Sequence, residues 1–170
     1  MNFDKVIKER HSVRSFKKTK KPDYKKIIEI IEAGTLAPLA GNMFSIKYLV
    51  VADKEKIGKI AEACQQDFVG EVAFLIVVCS DRKPLDKHYY ERGKIYSRQQ
   101  AGASVENMLL KATELGLASC WVGAFSDETI RHILNIPDDI ELEAVLPIGY
   151  ELGKKKQLPK ADLDRAPAPI

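Results

Sequence analysis

The sequence is 170 residues long, with 27 Lys and Arg against 24 Asp and Glu, a formal net charge of +3. Its 45% hydrophobic and 30% charged residues predict a single domain over residues 1–170 with a sizeable core, which excludes a disordered chain. The small charge and the absence of an aromatic and basic stripe exclude nucleic acid as a partner. The longest apolar stretch, Val72 to Cys79, is too short to span a bilayer, and no signal peptide opens the chain. The expectation is therefore a cytoplasmic protein with no membrane partner.

In chain order, Asn2 caps a first helix with Phe3, Val6 and Ile7 on its apolar face. A second helix follows Pro22, with Tyr24, Ile27, Ile28 and Ile31 at helical spacing, and Gly34 and Pro38 end it. Ile46 to Ala52 reads as a strand, and Asp53 caps a helix carrying Ile57, Ile60, Ala61 and Cys64. Val72 to Cys79 is a continuous apolar run, the pattern of a strand buried on both faces. A polar, aromatic loop is expected from Ser80 to about Lys94. The longest helix then runs from near Ile95 to Gly116, its face built on Ala101, Val105, Met108, Leu109 and Ala112. Ser119 to Val122 forms a short strand, Ser126 caps a helix over Asp127 to Leu134, and Glu141 to Ile148 is the last strand. Alternating helices and strands alone suggest a parallel α/β sheet.

Cys64, Cys79 and Cys120 are widely spaced and form no Cys-x-x-Cys pair, so they read as reduced thiols that fill small apolar spaces. His11, His88 and His132 stand at no metal-ligand spacing from one another or from a cysteine, which leaves no metal site to assign. The sequence has no Gly-x-Gly-x-x-Gly after a strand, no phosphate loop and no Gly-x-Ser-x-Gly elbow. No catalytic side chain stands out.

Four short segments do. In an extended stretch, Arg10, Ser12 and Arg14 share one side while His11 and Val13 point the other way. Two guanidinium forks and a hydroxyl suit a phosphate group, although a solvated basic helix end has the same composition. Ala37-Pro38-Leu39-Ala40-Gly41-Asn42 has the small residues that let a backbone pass close to a ligand, or is an ordinary helix-to-strand loop. Gly123 follows a strand just before a helix cap, where exposed N–H groups can meet a cofactor, and Trp121 and Phe125 beside it read as core. Lys154-Lys155-Lys156 is a basic run after the last strand.

Taken in order, these segments resemble the FMN-dependent nitroreductase family over nearly the whole chain, as one of its short members. The resemblance rests on Arg10-His11-Ser12-x-Arg14-x-Phe16, Ala37-Pro38-x-Ala40-Gly41-Asn42 and Gly116-Leu117-x-Ser119-Cys120-Trp121-x-Gly123-Ala124-Phe125. Pro147-Ile148-Gly149-Tyr150 and the trailing basic segment complete it. It implies an α+β fold, with a central, mostly antiparallel sheet flanked by helices in an intertwined homodimer. It further implies FMN at the dimer interface, NAD(P)H as electron donor and a small oxidising substrate: a nitroaromatic, a quinone or a flavin. By motif, Arg10, Ser12 and Arg14 would hold the FMN phosphate and ribityl chain, with His11 nearby. Pro38, Leu39 and Ala40 would approach from the other subunit, and Asn42 would bond the ring system. The Gly123 N–H would meet flavin N5 beside Ala124, leaving the flavin and no side chain as the seat of chemistry.

The sequence departs from the family pattern in three places. Where the family often has Lys-x-Arg before Leu-Pro, it has Lys155-Lys156-Gln157, so Lys155 fits, Gln157 does not, and the second phosphate contact either falls to Lys156 or is missing. Met43-Phe44-Ser45 replaces the usual Gln-Pro-Trp, and Leu39 replaces a frequent Ser, which makes the pocket more apolar. The competing readings are a flavin-binding or regulatory module without turnover, and a specialised reaction such as flavin fragmentation or dehalogenation. For the lids of such specialised members, 170 residues leave little room.

Overall fold

The apolar run ending at Cys79 lies inside the sheet of a computed structural model that describes residues 2–153. In chain order the elements are α1 (Phe3–Glu9), α2 (Tyr24–Thr35), β1 (Ile46–Val51), α3 (Lys54–Cys64), β2 (Phe74–Asp81) and α4 (Lys83–Tyr89). They continue with α5 (Arg92–Glu114), β3 (Ala118–Ser119), α6 (Asp127–Leu134) and β4 (Ile140–Gly149), and 3-10 turns lie at Ala40–Asn42 and Asp67–Glu71. The strand order is β1-β2-β4-β3, and every pairing among these strands is antiparallel.

The parallel sheet suggested by alternation does not form. A helix between two strands does not determine at which end of the sheet the chain re-enters. Here α3 and the turn Asp67–Glu71 return it to the end it left, so Val51 faces Leu75 and Ile46 faces Ser80. The path from Asp81 back to Ile140 closes in the same way. The result is an antiparallel sheet flanked by helices.

Along β2 the side chains alternate between two separate cores, the period of two expected of a strand. Leu75, Val77 and Cys79 pack with α3 and α6 through Ile57, Ile60 and Ile130. Phe74, Ile76 and Val78 pack with α2 and α5 through Ile27, Ile30, Val105 and Met108. Three of the helix starts follow the expected caps. Asn2 accepts from Lys5 N at 3.0 Å, Asp53 from Lys56 N at 2.9 Å and Ser126 from Thr129 N at 3.4 Å.

The structure corrects several expectations. Asp23, not Pro22, starts α2, accepting from Lys25 N at 3.0 Å, and Gly34 lies inside that helix instead of ending it. A Cβ on Gly34 would stand 2.8 Å from Met108 Cγ and 2.9 Å from Ser104 Oγ, so glycine there permits close approach of α2 to α5. Ser80 to Lys94 is not a loop but contains α4 and the start of α5. Pro84 fits the first turn of α4, and Leu85 is its one buried residue, too faint a periodic signal to read against polar neighbours. β3 spans only Ala118–Ser119, and Val122 makes a separate bridge to Val145. On α1 only Val6 is buried, and Phe3 is 67% exposed.

Candidate functional site

The chain leaves α1 through Arg10 and runs extended beside β3. Ser12 forms a parallel bridge with Ser119, and Val13 N donates to Ser119 O at 3.0 Å. This pairing enforces the alternation expected of the segment: Val13 is buried, while Ser12 and Arg14 are exposed. Arg10 Nε lies 3.5 Å from Glu106 Oε1 on α5. Among the described residues no ion pair engages Arg14.

Cys120 marks where this segment meets β3. Burial pushes its thiol up, while Arg14, a hydrogen bond with Ser12 and Arg10 pull it the other way. Ser12 and Arg14 lie on the exposed side of this segment, with half-buried Arg10 at its start. Two guanidiniums and a hydroxyl beside an open strand end can bind an anion with several oxygens.

His11 lies on the opposite side with Val13, lining a cavity of about 110 Å³. Its Nδ1 is 2.8 Å from the Glu9 carbonyl and its Nε2 is 3.2 Å from Glu151 Oε1. Chiefly the Glu9 carbonyl, and then the Glu151 carboxylate, hold the imidazole above its usual value, against partial burial and the neighbouring Arg10 charge.

Beyond Cys120, Val122 exchanges both backbone hydrogen bonds with Val145 at 3.0 Å, which fixes the exit of the chain. Gly123 and Ala124 follow, both exposed, and a Cβ at Gly123 would meet nothing within 4 Å. Trp121, expected in the core, is 42% exposed in the protomer, because its neighbours Cys120 and Val122 take the inward positions of the alternation. Cys64, Cys79 and Cys120 are all buried. Burial lifts the Cys64 thiol to about 11 and the Cys79 thiol to about 12.

Pro38, Leu39, Ala40 and Asn42 share one tight turn. Asn42 N donates to Leu39 O at 3.3 Å and Met43 N to Ala40 O at 3.1 Å. Gly41 and Asn42 both adopt left-handed φ, 57° and 56°, conformations favoured by Gly and tolerated by Asn. A Cβ on Gly41 would stand 2.7 Å from the Tyr89 hydroxyl, so this turn packs against α4. Among the described residues no hydrogen bond or ion pair joins it to Arg10–Arg14 within the protomer. Lys155 and Lys156 lie outside the described residues.

A polar row on α5 supports the turn, and the sequence reading missed it. Ser45 Oγ donates to Gln100 Oε1 at 3.0 Å, Gln100 Nε2 to Met43 O at 3.4 Å, and Tyr48 shares a 2.7 Å hydrogen bond with Ser104. Ser97, Gln100 and Ser104 are all buried. Their spacing of three and then four residues is that of one helix face, the signal that marks such a row in a sequence.

The chain matches known proteins over most of its length. The family model described as "Nitroreductase family" matches residues 7–71 and 60–150. A protein of Archaeoglobus fulgidus named "Putative NADH dehydrogenase/NAD(P)H nitroreductase" is 34% identical over 156 residues, covering 89% of this chain and 86% of that one. An iodotyrosine deiodinase of Thermotoga neapolitana is 27% identical over 174 residues, covering 93% of each chain. Among solved structures, an FMN-dependent nitroreductase from Clostridium difficile R20291 superposes with a TM-score of 0.82 at 25% identity, covering 96% of both chains. The chain belongs to the nitroreductase family. Among the described residues no helix is long and apolar enough to cross a membrane, and no cluster of side chains could hold a metal ion.

Proposed function

We propose that the protein is an FMN-dependent oxidoreductase that takes reducing equivalents from NADH or NADPH. It would hand them to a small oxidising substrate, a nitroaromatic, a quinone or a flavin, with donor and acceptor occupying the site in turn. The observation that carries this reading is the exposure of Ser12 and Arg14 on one side of an extended segment whose Val13 is buried, bridged to Ser119, four positions before an open Gly123. The donor set fits the group: the guanidiniums match a phosphate dianion, and the hydroxyl can bond a phosphate or ribityl oxygen.

In this reading Arg10, Ser12 and Arg14 hold the phosphate end, and Lys155 or Lys156 adds a further positive charge. His11 supports the segment from behind. The exposed Gly123 N–H, with Ala124 beside it, faces the flavin ring, and a donor there stabilises negative charge developing on the ring. When bound, FMN supplies the hydride and electron chemistry, which the buried thiols and the other side chains of this protein do not.

The turn with Pro38, Leu39, Ala40 and Asn42 serves the same flavin from a second protomer. Its internal hydrogen bonds tie it into one unit, which supports Asn42 reaching the flavin from the same protomer as Pro38–Ala40. A homodimer also gives cover to Phe3 and Leu36, which are 67% and 80% exposed beside a groove of about 360 Å³ between α1, α2 and α5. Thermal stability that rises with protein concentration supports the dimer. A monomeric mass with FMN still bound rejects it.

The deciding experiment is the colour of the purified protein and its response to reduced nicotinamide. Yellow protein bleached anaerobically by NADH or NADPH is expected. Yellow protein that neither donor bleaches would instead favour a flavin-binding module, and protein that takes up no FMN would reject the flavin altogether. Reductive dehalogenation is a second reading, favoured by the deiodinase that aligns over 93% of both chains. A relative of such similar length removes the objection that this chain has no room for that chemistry. Iodide release from an iodotyrosine under reducing conditions tests it.

A further inference from the structure

The tie between His11 and Glu151 spans 140 residues of sequence and lies directly behind the anion cluster. Both ring nitrogens face acceptors, the Glu9 carbonyl at 2.8 Å and Glu151 Oε1 at 3.2 Å. A neutral imidazole has one N–H and one lone pair, so only the imidazolium satisfies both contacts. Glu151 is itself held in place. It bridges Phe16 in antiparallel fashion, Lys17 N donates to Tyr150 O at 2.8 Å, and Leu152 N donates to Ser15 O at 3.0 Å.

The backbone between the helix bond of Arg10 N to Val6 O and the bond of Val13 N to Ser119 O spans the start of the cluster. Over that span the ring of His11 ties the chain to the end of the sheet. We infer that His11 and Glu151 form a proton-operated clasp that fixes the Arg10–Arg14 segment for phosphate binding and opens when His11 loses its proton. His11 is thus a positioning residue, and the inference rests on the flavin reading above.

The charges that bear on the ring are few. Glu151 and the Glu9 carbonyl favour the imidazolium, the neighbouring Arg10 opposes it, and Arg10 is itself offset by Glu106 at 3.5 Å. Glu9 lines the same cavity, and its carboxylate pairs with Lys5 at 3.7 Å. From α5, β3 and the link between them the cavity is lined by Thr113, Leu117 and Ser119, none of which titrates as an acid or base in the physiological range. The net balance raises the affinity of His11 for its proton.

The test is an FMN titration of wild type, His11→Gln and Glu151→Gln, followed by flavin fluorescence from about pH 6 to about pH 9. The phosphate of free FMN titrates at about pH 6 whichever protein it is offered to, so that step cancels in the affinity ratio of wild type to variant. That ratio should be several-fold at the acid end and fall toward unity at the alkaline end for His11→Gln, with Glu151→Gln following the same trend. Riboflavin, which lacks the phosphate, should show no such trend. A ratio that is flat with pH, or equal for riboflavin and FMN, overturns the clasp while leaving FMN binding in place. Wild type that binds no FMN at any pH overturns the flavin reading itself, and the clasp with it. Should the variants fail to fold, NMR titration of His11 in wild type replaces them. FMN should move its midpoint upward, and an unmoved midpoint overturns the inference.

Discussion

Ser45 and Gln100 meet across 55 residues of sequence, the Ser45 hydroxyl donating to Gln100 Oε1 at 3.0 Å with both residues buried. The contact anchors to α5 the chain that leaves the turn of Asn42. Gln100→Leu strands the Ser45 hydroxyl and the Met43 carbonyl, and should cost about 1–3 kcal/mol in urea unfolding. Adding Ser45→Ala should restore part of that loss, because the unsatisfied hydroxyl goes with it.

Two glycines inside helices should respond to alanine in opposite ways. At Gly58 on α3 a Cβ meets nothing within 4 Å, so Gly58→Ala should stabilise by about 0.5–1 kcal/mol through backbone entropy. At Gly34 the same Cβ meets Met108 and Ser104 at 2.8–2.9 Å, and overpacking of about 1–3 kcal/mol should outweigh the propensity gain. Thermal melts of the two variants check the difference in sign.

The helices were legible in the sequence wherever a cap residue stood before an apolar face, as at Asn2, Asp53 and Ser126. The strand at Val72 to Cys79 was legible because an apolar run of that short length is the pattern of a strand covered on both faces, although β2 lies two residues later, at Phe74–Asp81. Strand direction was not legible. The antiparallel facing of Val51 and Leu75 depends on where α3 delivers the chain, which no local pattern records. The site divides similarly. Alternation placed Ser12 and Arg14 together, but the partnership of His11 with Glu151 is a contact between distant parts of the chain. Trp121 was misjudged because a large aromatic next to Cys120 reads as core until the inward positions are known.

Thiol chemistry gives a direct test of burial. The thiolate is the reactive form, and burial lifts Cys64 to about 11 and Cys79 to about 12. Native protein near neutral pH should resist alkylation at all three cysteines, and denatured protein should take up three labels by mass. Cys120→Ser should lower stability by about 1–3 kcal/mol through its buried hydroxyl while leaving turnover per bound flavin near normal.

On the flavin reading Arg14 has the larger share of the phosphate anchor, since Arg10 is partly engaged by Glu106. Arg14→Ala should weaken FMN binding by about 2–5 kcal/mol, on the order of 30-fold to several thousand-fold. Arg14→Lys should recover only part of it, because an ammonium cannot form two parallel bonds. Wild type should bind riboflavin far more weakly than FMN, and Arg14→Ala should narrow that gap. Equal affinities in wild type would reduce the cluster to a basic surface.

Stability should carry the same proton linkage as the clasp. The pKa of His11 is raised in the folded protein above its ordinary value of 6.5, so its contribution is fully present below that value. It is lost as the pH rises through the folded value. The difference in urea midpoint between wild type and His11→Gln should therefore be largest on the acid side and shrink toward alkaline pH.

Residues 12–17 are stitched to Ser119, Tyr150, Glu151 and Leu152, so the start of the chain is completed by its far end. Contacts of such sequence separation form late, because a long loop must close before they are rewarded. During synthesis the segment bearing Ser12 and Arg14 must therefore wait, exposed and unpaired, while more than a hundred residues of the chain are made. The pairing that holds Ser12 and Arg14 in register cannot take shape on a half-made protein, and a nascent chain cut short before Tyr150 would carry them without it.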